Sequence, residues 1–101
     1  NPLMAFVPVG QAESGQIQDV RMIRGQVDHP VRLPYPASRV YARDDTIYAF
    51  TSQYVTMCRL DQTTPETYQM PIYVDDVLGI TSNHQAIVSS GGVIYLVPLL
   101  R

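Results

Sequence analysis

Short apolar segments, separated by prolines, glycines and polar turn residues, run along the whole chain. Apolar positions do not recur at the three-and-four spacing of a helix for more than one turn, and Val, Ile, Thr and Tyr dominate the segments between the turns. Short apolar segments at regular spacing are typical of sandwiches, barrels and antiparallel meanders. The sequence therefore predicts an all-β fold with antiparallel strands in a single domain, residues 1–101.

The first third is predicted to hold a hairpin followed by a proline-rich segment. Residues 3–9 and 16–24 have the composition of strands, and residues 11–15 that of the turn between them. Residues 29–37 contain three prolines, and a residue before proline avoids the helical region, so this segment is expected to be extended. We expect residues 1–37 to be looser than the rest, with the proline-rich part acting as a linker or as an arm lying on a neighbouring chain.

The second half contains an internal repeat with a period of about 39 residues. Each copy has the pattern strand, tight turn, strand, tight turn, strand. A loop at residues 61–66 then leads to a fourth strand at 67–73. The aligned segments are 39–45 with 77–83, 47–53 with 86–92, and 54–60 with 93–99.

A four-stranded antiparallel unit of about 40 residues resembles one blade of a β-propeller. The resemblance covers residues 38–99 and lies in the strand pattern. It implies two blade-like meanders, which would complete a propeller only together with other copies, since propellers have about four or more blades. The alternative is two ordinary three-stranded meanders in a small sandwich or barrel.

The charged residues have an unusual composition. The chain has no lysine and only two glutamates, whereas all seven basic side chains are arginine, beside seven tyrosines and four methionines. Solvent-facing surfaces are normally rich in Lys and Glu, while protein interfaces are depleted in both and enriched in Arg, Tyr and Met. A GC-rich genome would explain the arginines but not the missing glutamates. We therefore predict a protein–protein interface that uses Arg21, Arg24, Arg32, Tyr35, Arg39, Arg43, Tyr54 and Arg59.

Charge is also distributed unevenly. Residues 1–43 carry five arginines and three acidic residues, and residues 44–101 carry two arginines and six acidic residues. This division suits head-to-tail packing of identical copies, and it equally suits ion pairs within one folded chain. The net charge of −2 is too small to indicate binding to nucleic acid or to an anionic membrane.

Two adjacent acidic pairs are the first candidates for chemistry. Asp44-Asp45-Thr46 lacks the glycine of an aspartic-protease motif, and Asp is favoured in turns between strands. In Asp75-Asp76, neighbouring strand residues would point to opposite faces and could not easily converge on one substrate or ion. Both pairs are interpreted as turn residues.

The histidines and the cysteine give no site either. His29 and His84 have no Cys or second His at metal-ligand spacing, so each is expected to be an ordinary loop residue. Cys58 is the single cysteine and is expected to be a small buried hydrophobe. The sequence therefore predicts no catalytic residue, no metal site and no cofactor.

The predicted function is assembly without catalysis. We expect a β-module that packs against copies of itself or a larger structural protein, and by analogy a component of a virus or phage particle, in its capsid decoration or tail. A carbohydrate-binding module that uses exposed tyrosines is the alternative. No apolar run approaches the roughly 20 residues needed to cross a bilayer, and no retained signal peptide is recognised, so a soluble protein is expected.

Overall fold

The chain folds entirely into strands and turns across the residues that the structure describes. This computed structural model describes residues 4–11, 15–62 and 64–99, and none of them is helical. The all-β, antiparallel fold class is thereby confirmed. The strands are β1 (Ala5–Gln11), β2 (Ile17–Arg24), β3 (Val27–Ala37), β4 (Arg39–Arg43), β5 (Thr46–Phe50), β6 (Tyr54–Arg59), β7 (Glu66–Gln69), β8 (Asp76–Ile80), β9 (Gln85–Ser90) and β10 (Val93–Pro98).

The strands form three separate sheets, and each sheet is a meander of strands that follow one another in sequence. We call them sheet A (β1, β2, β3), sheet B (β4, β5, β6, β7) and sheet C (β8, β9, β10). Every pairing is antiparallel. In the two-residue turn between β9 and β10, Gly91 and Gly92 have φ values of 57° and 81°, the left-handed conformation of a type I′ hairpin turn.

The amino-terminal strands lie close to their predicted places. The first two predicted strands correspond to β1 and β2, while most of the turn predicted at 11–15 lies outside the described residues. The proline-rich segment is extended, and it forms β3, paired with β2 at the edge of sheet A, where we had expected a linker or an arm. An edge strand can accommodate prolines because a missing N–H need not interrupt a ladder on its open side.

The internal repeat corresponds to β4, β5 and β6 in sheet B and to β8, β9 and β10 in sheet C. The predicted fourth strand is β7, which ends at Gln69, earlier than expected. From there the chain crosses the β5–β6 turn, where the Met70 N–H donates to the Gln53 carbonyl (2.7 Å) and the Val74 N–H to the Ser52 carbonyl (2.8 Å). Pro71 has no N–H to continue the strand ladder.

Sheet B lies between the other two sheets, and its middle strand explains why. Successive strand residues point to opposite faces, and all five residues of β5 are buried. Ile47 and Ala49 pack in the core cluster with sheet A, whereas Tyr48 and Phe50 pack in the cluster with sheet C. The molecule is thus a stack of three sheets with two apolar cores, one on each side of sheet B.

Candidate protein interface

The outer face of sheet C, turned away from sheet B, is mostly apolar. Along β9 and β10 the buried residues Ala86, Val88 and Val97 face sheet B. The residues between them face outwards, and the register places Leu96 opposite Ile87 on this side. Leu78, Ile94 and Leu96 keep 54%, 56% and 59% of their surface exposed. We define the outer face of sheet C as Leu78, Ile87, Ile94, Leu96 and Pro98, together with Gln85 and Ser89, which the register places opposite Pro98 and Ile94.

The outer face of sheet A, at the other end of the stack, is charged. Arg21 on β2 forms a bidentate ion pair with Asp28 on β3, and Arg32 lies 3.8 Å from Asp19 across the same two strands. The pairing lowers the pKa of Asp28 and raises that of Arg21. The two ends of the stack therefore differ in kind, because one presents ion pairs to solvent and the other aliphatic side chains.

The internal repeat relates the exposed apolar residues of sheet C to buried residues of sheet B. Val55 and Met57 of sheet B are buried against sheet C. Their repeat equivalents in sheet C are Ile94 and Leu96, which are exposed. The outer face of sheet C is thus the counterpart of a face that, one sheet earlier, is covered by another sheet. Exposed apolar groups gathered on one face of a protein are typical of interaction sites.

The predicted interface arginines are spread over three places. Arg21 and Arg32 lie on the outer face of sheet A. Arg39 and Arg43 lie where sheets B and C meet; the Arg39 Nε is 3.2 Å from the Asp76 carboxylate, and the Arg43 Nη2 donates to the Ile80 carbonyl at 2.6 Å. Their part in an interface stays a prediction.

Arg24 and Arg59 line an open cleft at the turn end of the stack, and Arg24 pairs there with Asp45. The pairs Arg24–Asp45 and Arg39–Asp76 each join the arginine-rich half of the sequence to the acidic half. In these two pairs, the arginine-rich and acidic halves of the sequence form ion pairs within one folded chain. The two predicted interface tyrosines, Tyr35 and Tyr54, stack on each other with ring centroids 4.7 Å apart.

The same cleft contains a hydrogen-bonded chain that the sequence did not reveal. The cleft has a volume of about 740 Å³. The His84 Nδ1 lies 2.6 Å from the Tyr48 hydroxyl, and its Nε2 lies 2.7 Å from an Asp44 carboxylate oxygen. All three groups are satisfied if the hydroxyl donates to Nδ1 and Nε2–H donates to Asp44. His84 indeed lies in a turn, as expected, whereas the expectation of a loop is wrong for His29, which lies in β3.

This chain joins sheets B and C, and it runs from the buried Tyr48 to Asp44, whose side chain is 73% exposed and lines the cleft together with His84. Tyr48 is completely buried, and burial raises the pKa of its hydroxyl. Asp44 and His84 both adopt left-handed backbone angles, with φ of 56° and 62°. The internal repeat could have predicted that Asp44 and His84 lie close together. The turns at 44–45 and 82–83 are aligned in the repeat, and equivalent turns of stacked repeats lie at the same end of the stack.

Both carboxylates of the Asp75-Asp76 pair are engaged in the fold. The Asp75 carboxylate accepts from the Gly91 N–H at 2.7 Å, and Asp76 accepts from the Val77 N–H at 2.9 Å. Cys58 is buried, as predicted, and burial raises the pKa of its thiol to about 11. No group of three or more His, Cys, Asp or Glu side chains among the described residues could hold a metal ion.

The apolar face was not among the residues that the sequence predicted for an interface. The composition indicated arginine and tyrosine, whereas the exposed side chains of this face are mainly Leu, Ile and Pro. A signal was present in 93–97, an unbroken apolar run where a strand with one solvated face would alternate with polar residues.

These features define a small all-β protein made of three stacked antiparallel meanders, with one charged and one apolar outer face. Comparison with family models, with curated proteins and with solved structures gave no match. No helix in the described ranges is long and apolar enough to cross a membrane.

Proposed function

We propose that this protein is a non-enzymatic assembly module that binds other protein chains through the outer face of sheet C. The observation that carries the proposal is that Leu78, Ile94 and Leu96 stand more than half exposed together on one sheet face. The equivalent face of sheet B is buried in the stack. Desolvation of such side chains on contact with a partner is favourable, and their mixture of branched shapes suits sheet-on-sheet packing.

A second copy of the chain is the partner that fits this face best. Two outer faces of sheet C, related by a two-fold axis, would bury apolar side chains against one another. Packing the same face on sheet A of another copy would instead bury the Arg21–Asp28 and Arg32–Asp19 pairs, which carries a desolvation penalty. This desolvation penalty favours a symmetric, face-to-face contact over a head-to-tail one.

The strength of this contact is limited. Full burial of a Leu or Ile side chain contributes about 1.5–3 kcal/mol, so covering the exposed half contributes about 1 kcal/mol per residue. Association costs several kcal/mol in lost rigid-body freedom. The face alone is thus expected to give weak, concentration-dependent association. The virus- or phage-particle setting stays a prediction; high local concentration in a particle would suit a contact of this strength.

Light scattering across a range of protein concentrations and salt tests the proposal. The wild-type mass should rise above that of the monomer with concentration and should persist in high salt, because apolar contacts are not screened. Leu78→Glu should return the mass towards the monomer. Val7→Glu is the matched control, because Val7 is also exposed on an outer sheet face, that of sheet A, next to Arg21. A monomer at every concentration, or equal effects of both variants, would refute the assignment.

Carbohydrate binding is the second candidate, and one feature favours it. Tyr73 is exposed and borders a shallow depression of about 210 Å³ with Gln53 and Gln69. An exposed aromatic ring beside amide side chains can stack on a sugar and hydrogen-bond its hydroxyls. Binding on a glycan array that is lost in Tyr73→Ala would support this function, and a blank array at high protein concentration would remove it.

A further inference from the structure

Strand β10 has an open edge whose backbone groups can be located. The Leu99 N–H donates to the His84 carbonyl directly opposite. Hydrogen-bonded and non-hydrogen-bonded pairs alternate along an antiparallel ladder, so Val93, Tyr95 and Val97 bond to β9, while Ile94 and Leu96 turn their N–H and C=O groups outwards. Two further bonds are consistent with this alternation. The Ser89 and Gln85 carbonyls of β9 point away from β10, where they accept hydrogen bonds from the N–H groups of Asp75 and Thr81.

Both the side chains and the backbone groups of Ile94 and Leu96 are therefore available for contact with another chain. Their side chains stand on the outer face of sheet C, and in the part of the chain that the structure describes no strand pairs with the side of β10 towards which their backbone groups point. In sheet B the equivalent strand, β6, is paired at this position with β7. Among the described residues, sheet C has no counterpart of β7.

The other edge strands of the described residues carry features that discourage pairing with another chain, whereas β10 carries only one of them, Pro98 at its end. Prolines, charged side chains, bulges and short length all serve this purpose. They are found as Pro8 in β1, three prolines in β3, Arg39 and Arg43 in β4, Glu66 in the four-residue β7, and Asp76 with a bulge before Gly79 in β8. In β10 the residues Val93–Val97 are uncharged, and Pro98 stands only at the end.

We propose that β10 pairs antiparallel with β10 of a second copy, across a two-fold axis at Tyr95. The inference rests on the proposed assembly function and specifies how the copies meet. Ile94 then lies opposite Leu96 of the copy, so that all N–H and C=O groups of both residues on the open edge are bonded. Pro98 lies opposite Gly92 of the copy, where its missing N–H leaves one carbonyl of each copy unbonded.

Charge supports self-pairing of this strand over the others. In a two-fold antiparallel pair, each residue meets the residue equally far from the axis on the copy. Self-pairing of β4 about its centre would place Arg39 opposite Arg43, and like charges directly opposite one another are destabilising. For β10 the opposed pairs are Ile94 with Leu96, Val93 with Val97, and Tyr95 with itself, which are favourable aliphatic and aromatic cross-strand pairs.

The edge contact and the face contact are compatible. Two sheets C joined at β10 form one continuous sheet, and the outer faces of both copies lie on the same side of it. Two such dimers can then pack face to face, as expected when two different two-fold contacts combine into a closed tetramer.

Disulfide cross-linking tests the register. Residues that face each other in a non-hydrogen-bonded antiparallel pair have Cα atoms about 4.5 Å apart, within the range of a disulfide. Tyr95→Cys should therefore form a covalent dimer under mild oxidation. Val93→Cys is the matched control, because the Cα atoms of position 93 in the two copies would be about 14 Å apart at 3.4 Å per residue. The native Cys58 does not interfere, since it is buried and its pKa is raised to about 11.

A second pair of variants tests the backbone bonds. Leu96→Pro removes an open-edge N–H, while Leu96→Ala shortens the side chain and keeps the N–H. Since the axis doubles each loss, the dissociation constant of the dimer should be at least tenfold higher for Leu96→Pro than for Leu96→Ala, measured by analytical ultracentrifugation.

The outcomes separate the two proposals. A cross-link in Tyr95→Cys that persists in the Leu78→Glu background, with none in Val93→Cys, supports the edge contact. Association that Leu78→Glu abolishes, without a cross-link in Tyr95→Cys, overturns the edge contact and leaves the proposed function standing. A wild-type monomer at every concentration overturns both. Equal cross-linking of the two cysteine variants shows random collision and also overturns the edge contact.

Discussion

Substitution Tyr48→Phe isolates the hydrogen-bonded chain that joins sheets B and C. The ring of Tyr48 is fully buried in the core between these sheets, and Phe keeps that packing. Only the hydroxyl is lost, and with it the 2.6 Å contact to His84 Nδ1. A typical hydrogen bond contributes about 1 kcal/mol net, and an unpaired buried partner adds to the loss. We expect the free energy of unfolding to fall by about 1.5–2 kcal/mol, or Tm by roughly 6–15 °C.

Urea unfolding at pH 7, at one fixed protein concentration because assembly alters apparent stability, measures this change. Tyr73→Phe is the matched control, because Tyr73 is exposed and its hydroxyl can remain hydrated; its midpoint should not move. A double-mutant cycle uses His84→Gly, since glycine adopts φ near 62° without strain. If Tyr48→Phe is neutral, or is equally damaging with and without the histidine ring, the hydroxyl–imidazole bond does not stabilise the fold.

Three further experiments test the core, a turn and a buried thiol. Leu33→Ala, at a buried position of the core between sheets A and B, should lower the free energy of unfolding by about 2–5 kcal/mol by urea denaturation; a loss below about 1 kcal/mol would contradict the packing. Gly92→Ala should lower the free energy of unfolding by about 1 kcal/mol because φ at this position is +81°, although an added Cβ meets nothing within 4 Å. Gly79→Ala has the same open space and no positive φ, so it should be neutral or slightly stabilising. Equal thermal shifts of the two variants would refute the backbone explanation. Because burial raises the pKa of Cys58 from 9.0 to about 11, the unfolded chain loses this proton first, so stability is complete below pH 9 and falls by about 2–3 kcal/mol towards pH 11; Cys58→Val should lack this part of the slope, and identical pH profiles would disprove it.

The strands were predictable where local chemistry decides them. In 39–60 and 77–99, apolar segments rich in Val, Ile and Tyr end at Asp, Ser, Asn or Gly, and the pairing of neighbours in a meander needs no information beyond their order. The stacking of one sheet on another was not predictable in this way. It depends on which of two alternating faces is covered, and every residue of β5 is covered on both.

The candidate interface was harder to predict for the same reason. Composition indicated Arg39 and Arg43, yet their partners Asp76 and the Ile80 carbonyl are 37 residues away and come within reach only when sheet B packs on sheet C. Ile94 and Leu96 have ordinary strand composition, and a pattern cannot tell whether the next layer is present. Their exposure is a property of the stack, so only the three-dimensional arrangement reveals it.

The placement of sheet B between two sheets that do not share a core also sets how the molecule opens. Sheets A and C each pack their core residues against sheet B, so either outer sheet can detach while the other core stays intact. Amide protons of β1 and β10 are then released by opening one end of the stack. Those of β5 and β6 exchange with solvent only when both cores are lost. Local fluctuation is thereby concentrated at the ends, and the apolar end is the one whose opening a bound partner would suppress.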